Sequence, residues 1–117
     1  MNCFCLASDA GLRSLVLHPE NTAVVAGKSA RFRCASDSSP SLNWIRRDGK
    51  TSKDIVLVSR CRLNPQYERI YALENIDRGS CDLVVKNASE GDAGVYSCSE
   101  SFGFDPESSA QLAVLGI

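Results

Sequence analysis

The segment at residues 92–98, DAGVYSC, limits the possible folds more than any other part of this sequence. Cys34 lies upstream of it among alternating apolar residues, and Trp44 follows Cys34 in the next apolar run. A Cys, a Trp and a second Cys in three short strands can meet in the core between two β-sheets. Tyr96, two residues before Cys98, can turn its hydroxyl back to the backbone at a corner. The pattern therefore predicts a two-sheet sandwich.

The rest of the chain continues the same pattern of short apolar runs. Clusters of Gly, Pro, Asn, Asp and Ser divide these runs, and no segment of any length has a helical period. Period-two alternation between turn residues is typical of an all-β chain. We predict about nine strands in a β-sandwich. They fall at residues 15–17, 24–25, 30–34, 42–45, 55–58, 70–73, 83–85, 95–98 and 112–115.

Length, composition and charge fit one globular domain without a nucleic-acid-binding face. The chain has 117 residues, 44% of them hydrophobic and 23% charged. That length corresponds to one domain of ordinary composition. The net charge is −1 with both signs interleaved, whereas a nucleic-acid footprint would be basic and clustered. No run approaches the ~20 apolar residues that span a bilayer, so we place any membrane anchor outside this chain.

The cysteine content and the first residues bear on the compartment. Six cysteines are many for a cytosolic chain of this length, and none lies in a CxxC motif. An extracellular or cell-surface location is therefore favoured. Residues 1–12 have no basic region and only a very short apolar run, so they do not form a complete signal peptide. We interpret them as an N-terminal extension, the tail of a signal peptide or a cloning remnant, and residues 13–117 as one domain.

Through Cys34, Trp44 and the DAGVYSC segment, the chain resembles the immunoglobulin superfamily over residues 14–115. In such a sandwich a disulfide between Cys34 and Cys98 would tie the two sheets together through the core, contributing roughly 2–4 kcal/mol. The core would then also contain Trp44, Tyr96, Leu83 and Leu112.

The spacing also resembles the variable type of this superfamily. The stretch between Trp44 and Cys98 leaves room for the additional edge strands C′ and C″, with residues 55–58 as C′. Arg69 stands where variable-type domains often carry an arginine that pairs with the aspartate before the corner tyrosine, here Asp92. The alternative is that Arg69 is merely solvated.

The last apolar run resembles the final strand of antigen-receptor variable domains, but one motif of theirs is absent. Where those domains carry Phe-Gly-x-Gly, residues 106–109 read PESS. A rearranged antibody or T-cell receptor chain is therefore disfavoured. A receptor or adhesion module of variable type fits better, such as the variable-joining-like domains of invertebrate chordates.

The remaining cysteines predict a second disulfide. Cys81 has the same parity as Leu83 and should point inward, and Cys61 follows strand C′, so we expect the two to pair. The alternative is that both are free and buried. Cys3 and Cys5 could pair with a second chain, pair with another cysteine or stay free. These four cysteines lack the spacing of zinc-ligand pairs.

Two residues bear on modification and catalysis. Asn87 begins an N-x-S sequon in a turn, which is a glycosylation site if the domain is secreted. His18 is the only histidine, and we expect it to be an exposed edge residue. The chain has no GxSxG element, P-loop or metal-ligand helix. We therefore predict that the chain is not an enzyme and that it has neither a cofactor site nor a metal site.

Two binding hypotheses follow. In the first, the domain belongs to an immune-type or adhesion receptor and meets a protein partner, a second copy of itself included, through the sheet of strands G, F, C and C′ and the loop between F and G. In the second, it is a secreted recognition protein whose loops bind glycans or microbial surfaces. For the first hypothesis parity places small and apolar residues on the outward side, and the loop adds two aromatic residues. The predicted contact residues are Ile45, Arg47, Ser97, Gln111, either Ile55 or Leu57 (we favour Leu57), Phe102 and Phe104.

Overall fold

The computed structural model describes residues 15–37, 42–47, 53–77, 79–100 and 107–116. Eleven strands and two single-turn 3-10 helices, Pro65–Tyr67 and Glu90–Asp92, lie in these ranges. The strands are β1 (Leu15–Leu17), β2 (Thr22–Val25), β3 (Ala30–Phe32), β4 (Ala35–Ser36), β5 (Asn43–Arg47), β6 (Asp54–Ser59), β7 (Arg62–Leu63), β8 (Tyr71–Asp77), β9 (Ser80–Val85), β10 (Gly94–Ser99) and β11 (Ser108–Leu115).

The strands form two sheets that enclose one core. The first has the order β1-β4-β9-β3, with β8 also paired to β9, and the second has the order β2-β11-β10-β5-β6-β7. The first strand of the sandwich is divided, because β1 joins the first sheet and β2 pairs in parallel with β11 of the second. This is the arrangement predicted for a variable-type sandwich, with β6 and β7 as the edge strands C′ and C″.

The strand count exceeds the predicted one at two places. The expected strand at residues 30–34 ends at Phe32 as β3, and a separate short strand, β4, follows at Ala35–Ser36; between them the backbone N–H of Cys34 donates to the Asp82 carboxylate at 3.3 Å. The hairpin from β6 to β7 turns through Arg60 and Cys61, whose φ angles are 54° and 52°. Such turns usually contain Gly, Asn or Asp, so the sequence had no turn signal here.

The predicted core is confirmed. Trp44, Tyr96, Leu83 and Leu112 are all buried in it, around a disulfide between Cys34 and Cys98. Their packing is specific as well as dense. Phe32 stacks on Tyr96 with ring centroids 5.3 Å apart, and the indole N–H of Trp44 donates to the Cys81 carbonyl at 2.8 Å.

The second disulfide and the tyrosine corner are also present. Cys61 and Cys81 are bonded, with Cα atoms 5.9 Å apart, so the β6–β7 hairpin of one sheet is tied to β9 of the other. The Tyr96 hydroxyl donates to the Asp92 carbonyl oxygen at 2.6 Å and lies 3.1 Å from the hydroxyl of Tyr71. Burial, together with the neighbouring Tyr71, raises the pKa of Tyr96 well above its ordinary value.

The predicted pair of Arg69 and Asp92 is wrong. Arg69 is exposed in the turn before β8, and the Asp92 carboxylate accepts hydrogen bonds from the backbone N–H and hydroxyl of Ser89 at 2.9 and 3.2 Å. Arg46 of β5 takes the place beside the corner. Its guanidinium donates to the carbonyl oxygens of the residues on either side of Asp92 and lies 5.6 Å from the Tyr96 ring centroid. The arginine therefore reaches the corner from the neighbouring strand, and it binds the backbone instead of the carboxylate.

Candidate binding face

The strand register shows which side chains share the outward side of the second sheet. Residues directly opposite each other in neighbouring strands face the same side. We call this side the outer face. One of its rows is Gln111, Val95, Arg47 and Asp54, and the next is Ser109, Ser97, Ile45 and Val56. The structure thus brings together four predicted contact residues: Ile45, Arg47, Ser97 and Gln111.

The predicted outward residue of β6 is wrong. Leu57 is 1% exposed and belongs to the core, and Ile55 also packs against it. The outward residue is Val56, which is 41% exposed and pairs with Ile45. The cause is a bulge in the pairing of β5 with β6 at Trp44, since an extra residue in one strand changes which side chains face out.

The centre of the outer face is less accessible than the sequence suggested. Ile45 lies outside the core cluster, yet it is only 7% exposed. Ser97 is 2% exposed, and its hydroxyl is 2.6 Å from that of Ser109 on the neighbouring strand. The accessible surface therefore lies on the two flanks of the face, on β5–β6 and on β2–β11.

The β5–β6 flank carries a small charge cluster beside Val56. The Arg47 guanidinium contacts the Asp54 carboxylate at 3.0 Å and the Glu107 carboxylate at 3.3 Å. The hydrogen bond and charge of Asp54, followed by those of Glu107, raise the pKa of Arg47 above its ordinary value. All three side chains are partly exposed, so the pairs contribute little to folding but present fixed charges to the solvent.

The β2–β11 flank is aliphatic. Val25 and Leu115 are paired across the two strands, and both are exposed. Ala23 and Ala113 form the preceding outward pair and are exposed as well. Val25 and Leu115 were not among the predicted contact residues, although the sequence carries a signal for them. The alternation that turns Leu112 into the core turns Leu115, three residues on, outward.

Other residues singled out from the sequence lie elsewhere. Phe102 and Phe104 fall outside the described residues. His18 is exposed, and its Nδ1 is 3.0 Å from the Ser108 hydroxyl. Asn87 is exposed in the turn that follows β9.

Metal ligands and membrane spans can be assessed within the described part of the chain. It holds no group of three or more His, Cys, Asp or Glu side chains that could bind a metal ion. None of its helices is both long and apolar enough to cross a membrane.

Comparison with known proteins gives one family and many related structures. The immunoglobulin V-set domain matches residues 18–115. The structure is similar to the RIG-5 IG1 homodimer chain, with a TM-score of 0.74 and 18% identity, covering 89% of this chain and 98% of that one.

Two further solved structures are similar to this chain. One is a chain of the complex of Dpr1 IG1 with DIP-eta IG1, with a TM-score of 0.73, 17% identity and coverage of 88% and 95% of the two chains. The other is the first Ig domain of the mouse polymeric immunoglobulin receptor, with a TM-score of 0.68, 18% identity and coverage of 88% and 95%. At these identities the similarity is one of fold.

Proposed function

Because this chain belongs to the immunoglobulin V-set family, we propose that it is an extracellular binding module of an immune-type or adhesion receptor and not an enzyme. Its ligand in this proposal is a protein, a second copy of the chain included, which docks on the outer face. The observation that carries the proposal is the set of exposed aliphatic side chains on that face: Val56 on one flank, beside the charge cluster of Arg47, and Val25 and Leu115 on the other.

The distribution of exposed apolar side chains supports this surface. Single exposed aliphatics are ordinary on any protein. Within the described ranges, however, three of the large exposed apolar residues fall on the outer face, and the others, Val16, Ile70 and Ile76, lie away from it. An apolar surface with polar residues at its edge is the usual composition of a protein–protein interface.

The charge cluster makes the outer face selective for the charge of its partner. Arg47 is held between Asp54 and Glu107, so the cluster carries one positive and two negative groups at fixed positions. Rim charges of this kind contribute more to the rate of association and to partner choice than to affinity. The cluster therefore favours a partner that places a cation near Asp54 or Glu107.

Two further observations support the proposal. The two disulfides are typical of proteins that fold in an oxidising compartment, which agrees with an extracellular location. Two of the structurally similar proteins are Ig domains in complexes, the RIG-5 IG1 homodimer and Dpr1 IG1 bound to DIP-eta IG1. This supports a protein partner by analogy of fold only.

The glycan-binding alternative has less support. It depends on the loops at residues 36–41 and 100–106, most of which lie outside the described residues. The contacts and exposed side chains that favour a binding function lie on the outer face, so the protein-binding function is the one we retain.

A charge placed on the outer face tests the proposal. Val56→Glu should abolish self-association in sedimentation velocity and binding to V-type ectodomains in a pairwise screen, because it buries an unpaired carboxylate in the interface. The matched control is Ile76→Glu, which changes a more exposed residue on β8 of the other sheet and should leave both unchanged. If Val56→Glu folds and binds as the wild type does, the outer face is not the interface.

A further inference from the structure

The sequon at Asn87 lies in an exposed turn that is firmly attached to the sandwich. It is the one N-x-S/T sequence in the chain. Asn87 is exposed, and its side-chain amide makes no hydrogen bond with any described residue. The next residue, Ala88, is buried, donates its N–H to the Lys28 carbonyl and accepts from the N–H of Gly27, both at 2.8 Å. The side-chain amide nitrogen of Asn87, to which a glycan would be attached, is therefore held in a fixed position and exposed to solvent.

The turn stands beside the aliphatic flank of the outer face. Gly27 and Lys28 follow directly after β2, which ends at Val25. Val25 is paired with Leu115, and the N–H of Ala26 donates to the Leu115 carbonyl at 2.9 Å. The exposed pair of Val25 and Leu115 and the sequon are thus at the same end of the sandwich.

Both polar residues of the sequon also have a structural use. Asn87 has a φ angle of 47°, a left-handed conformation that asparagine tolerates better than most residues. The Ser89 hydroxyl contacts the Asp92 carboxylate at 3.2 Å as part of a capping box for the 3-10 helix Glu90–Asp92. A purely structural reason for both residues is therefore the alternative that an experiment must exclude.

We propose that Asn87 carries an N-linked glycan, and that this glycan covers Val25 and Leu115, which narrows the docking surface proposed above to the β5–β6 flank around Val56. In the transfer step, the Asn87 amide nitrogen displaces the diphosphate from C1 of the first sugar of a lipid-diphosphate-linked oligosaccharide. A C–N bond forms and a C–O bond breaks. The lipid diphosphate leaves with the electron pair, and the amide loses one proton. The glycan and its covering of Val25 and Leu115 rest only on the extracellular location proposed above, whereas the narrowing of the docking surface also rests on the proposed binding face.

Site mapping tests the modification. The chain is secreted from eukaryotic cells behind a cleavable leader and treated with peptide-N-glycosidase in H2¹⁸O, which converts a glycosylated Asn into ¹⁸O-labelled Asp. We expect the label at residue 87 in the wild type and in Ser89→Thr, which keeps the sequon. We expect none in Ser89→Ala or in Asn87→Gly, which keeps the left-handed turn. A secreted wild-type chain with both disulfides and an unmodified Asn87 would overturn the proposal.

Hydroxyl-radical footprinting tests the covering of the flank. In the glycosylated wild type, oxidation of Val25 and Leu115 should be several-fold lower than in Asn87→Gly, with Ile76 as an unaffected internal reference. Equal oxidation of Val25 and Leu115 in the two proteins would disprove the covering. Because neither measurement involves a partner, failure here is distinguishable from failure of the binding function, which Val56→Glu tests by itself.

Discussion

The outward sides of the two sheets differ in how their polar side chains are buried and hydrogen-bonded. On the outward side of β3, β9 and β8, polar side chains contact one another, and one of them is a buried carboxylate. Arg31 contacts Glu74 at 2.7 Å, and the Asp82 carboxylate, although buried, accepts from the Cys34 N–H and, at 2.7 Å, from the Asn75 side-chain amide. These contacts hold irregular backbone, namely the break between β3 and β4 and the bulge of β8.

The two rows of the outer face contain no buried carboxylate among their described residues. Its exposed residues are mainly aliphatic, and its cluster of ion pairs around Arg47 is partly exposed. The same core thus supports one face whose polar groups stabilise the strands and another whose surface remains available. The difference indicates that substitutions on the first face should reduce stability, and substitutions on the second should reduce binding.

The largest effect on stability is expected where the two sheets are cross-linked. Replacing Cys61 and Cys81 together by Ala should reduce the free energy of unfolding by about 3 kcal/mol, because the unfolded chain regains the entropy of the closed loop. Chemical denaturation measures this loss. Replacing Cys34 and Cys98 in the same way frees a longer loop and should cost more, since their sequence separation is 64 instead of 20. A loss below about 1 kcal/mol for the Cys61 and Cys81 variant would show that the β6–β7 edge is held without the bond.

A smaller loss is expected at the buried carboxylate of the first face. Asp82→Ala should cost about 2 kcal/mol, because it leaves the Cys34 N–H and the Asn75 amide without an acceptor. Asp82→Asn retains one acceptor oxygen and should recover part of the loss. Glu74→Ala, on the same face but exposed, should change the unfolding free energy by about 0–1 kcal/mol. Equal losses for Asp82→Ala and Glu74→Ala would contradict a structural role for the polar network.

The smallest stability effect is expected on the outer face. Arg47→Ala should cost about 0–1 kcal/mol, because both of its ion pairs are open to water. A double-mutant cycle with Asp54→Ala measures the coupling between the two residues. In a partner-binding assay the same variant should change the association rate and its salt dependence more than the dissociation rate. A coupling above about 2 kcal/mol would mean that the pair belongs to the folding network, as on the other face.

Much of this architecture could be predicted because its signals are local. The resemblance to the immunoglobulin superfamily placed Trp44, Tyr96 and Leu112 in the core, and alternation along β5 and β10 then placed Ile45 and Ser97 on one outward face. Side chains of a strand alternate with a period of two, so parity can be counted within a single segment. The parity of Cys81 with Leu83 indicated the second disulfide, and the resemblance to the immunoglobulin superfamily indicated the first.

The remaining features were decided by contacts between segments that lie far apart in the chain. A bulge between β5 and β6 made Val56 and not Leu57 the outward residue. Arg46 and not Arg69 reached the tyrosine corner, because β5 lies beside β10 in the sheet. The low exposure of Ile45 likewise depends on its surroundings in the folded chain. The alternation of side chains within one strand cannot predict the register between two strands. That register is set only when the strands pair and the sheets pack.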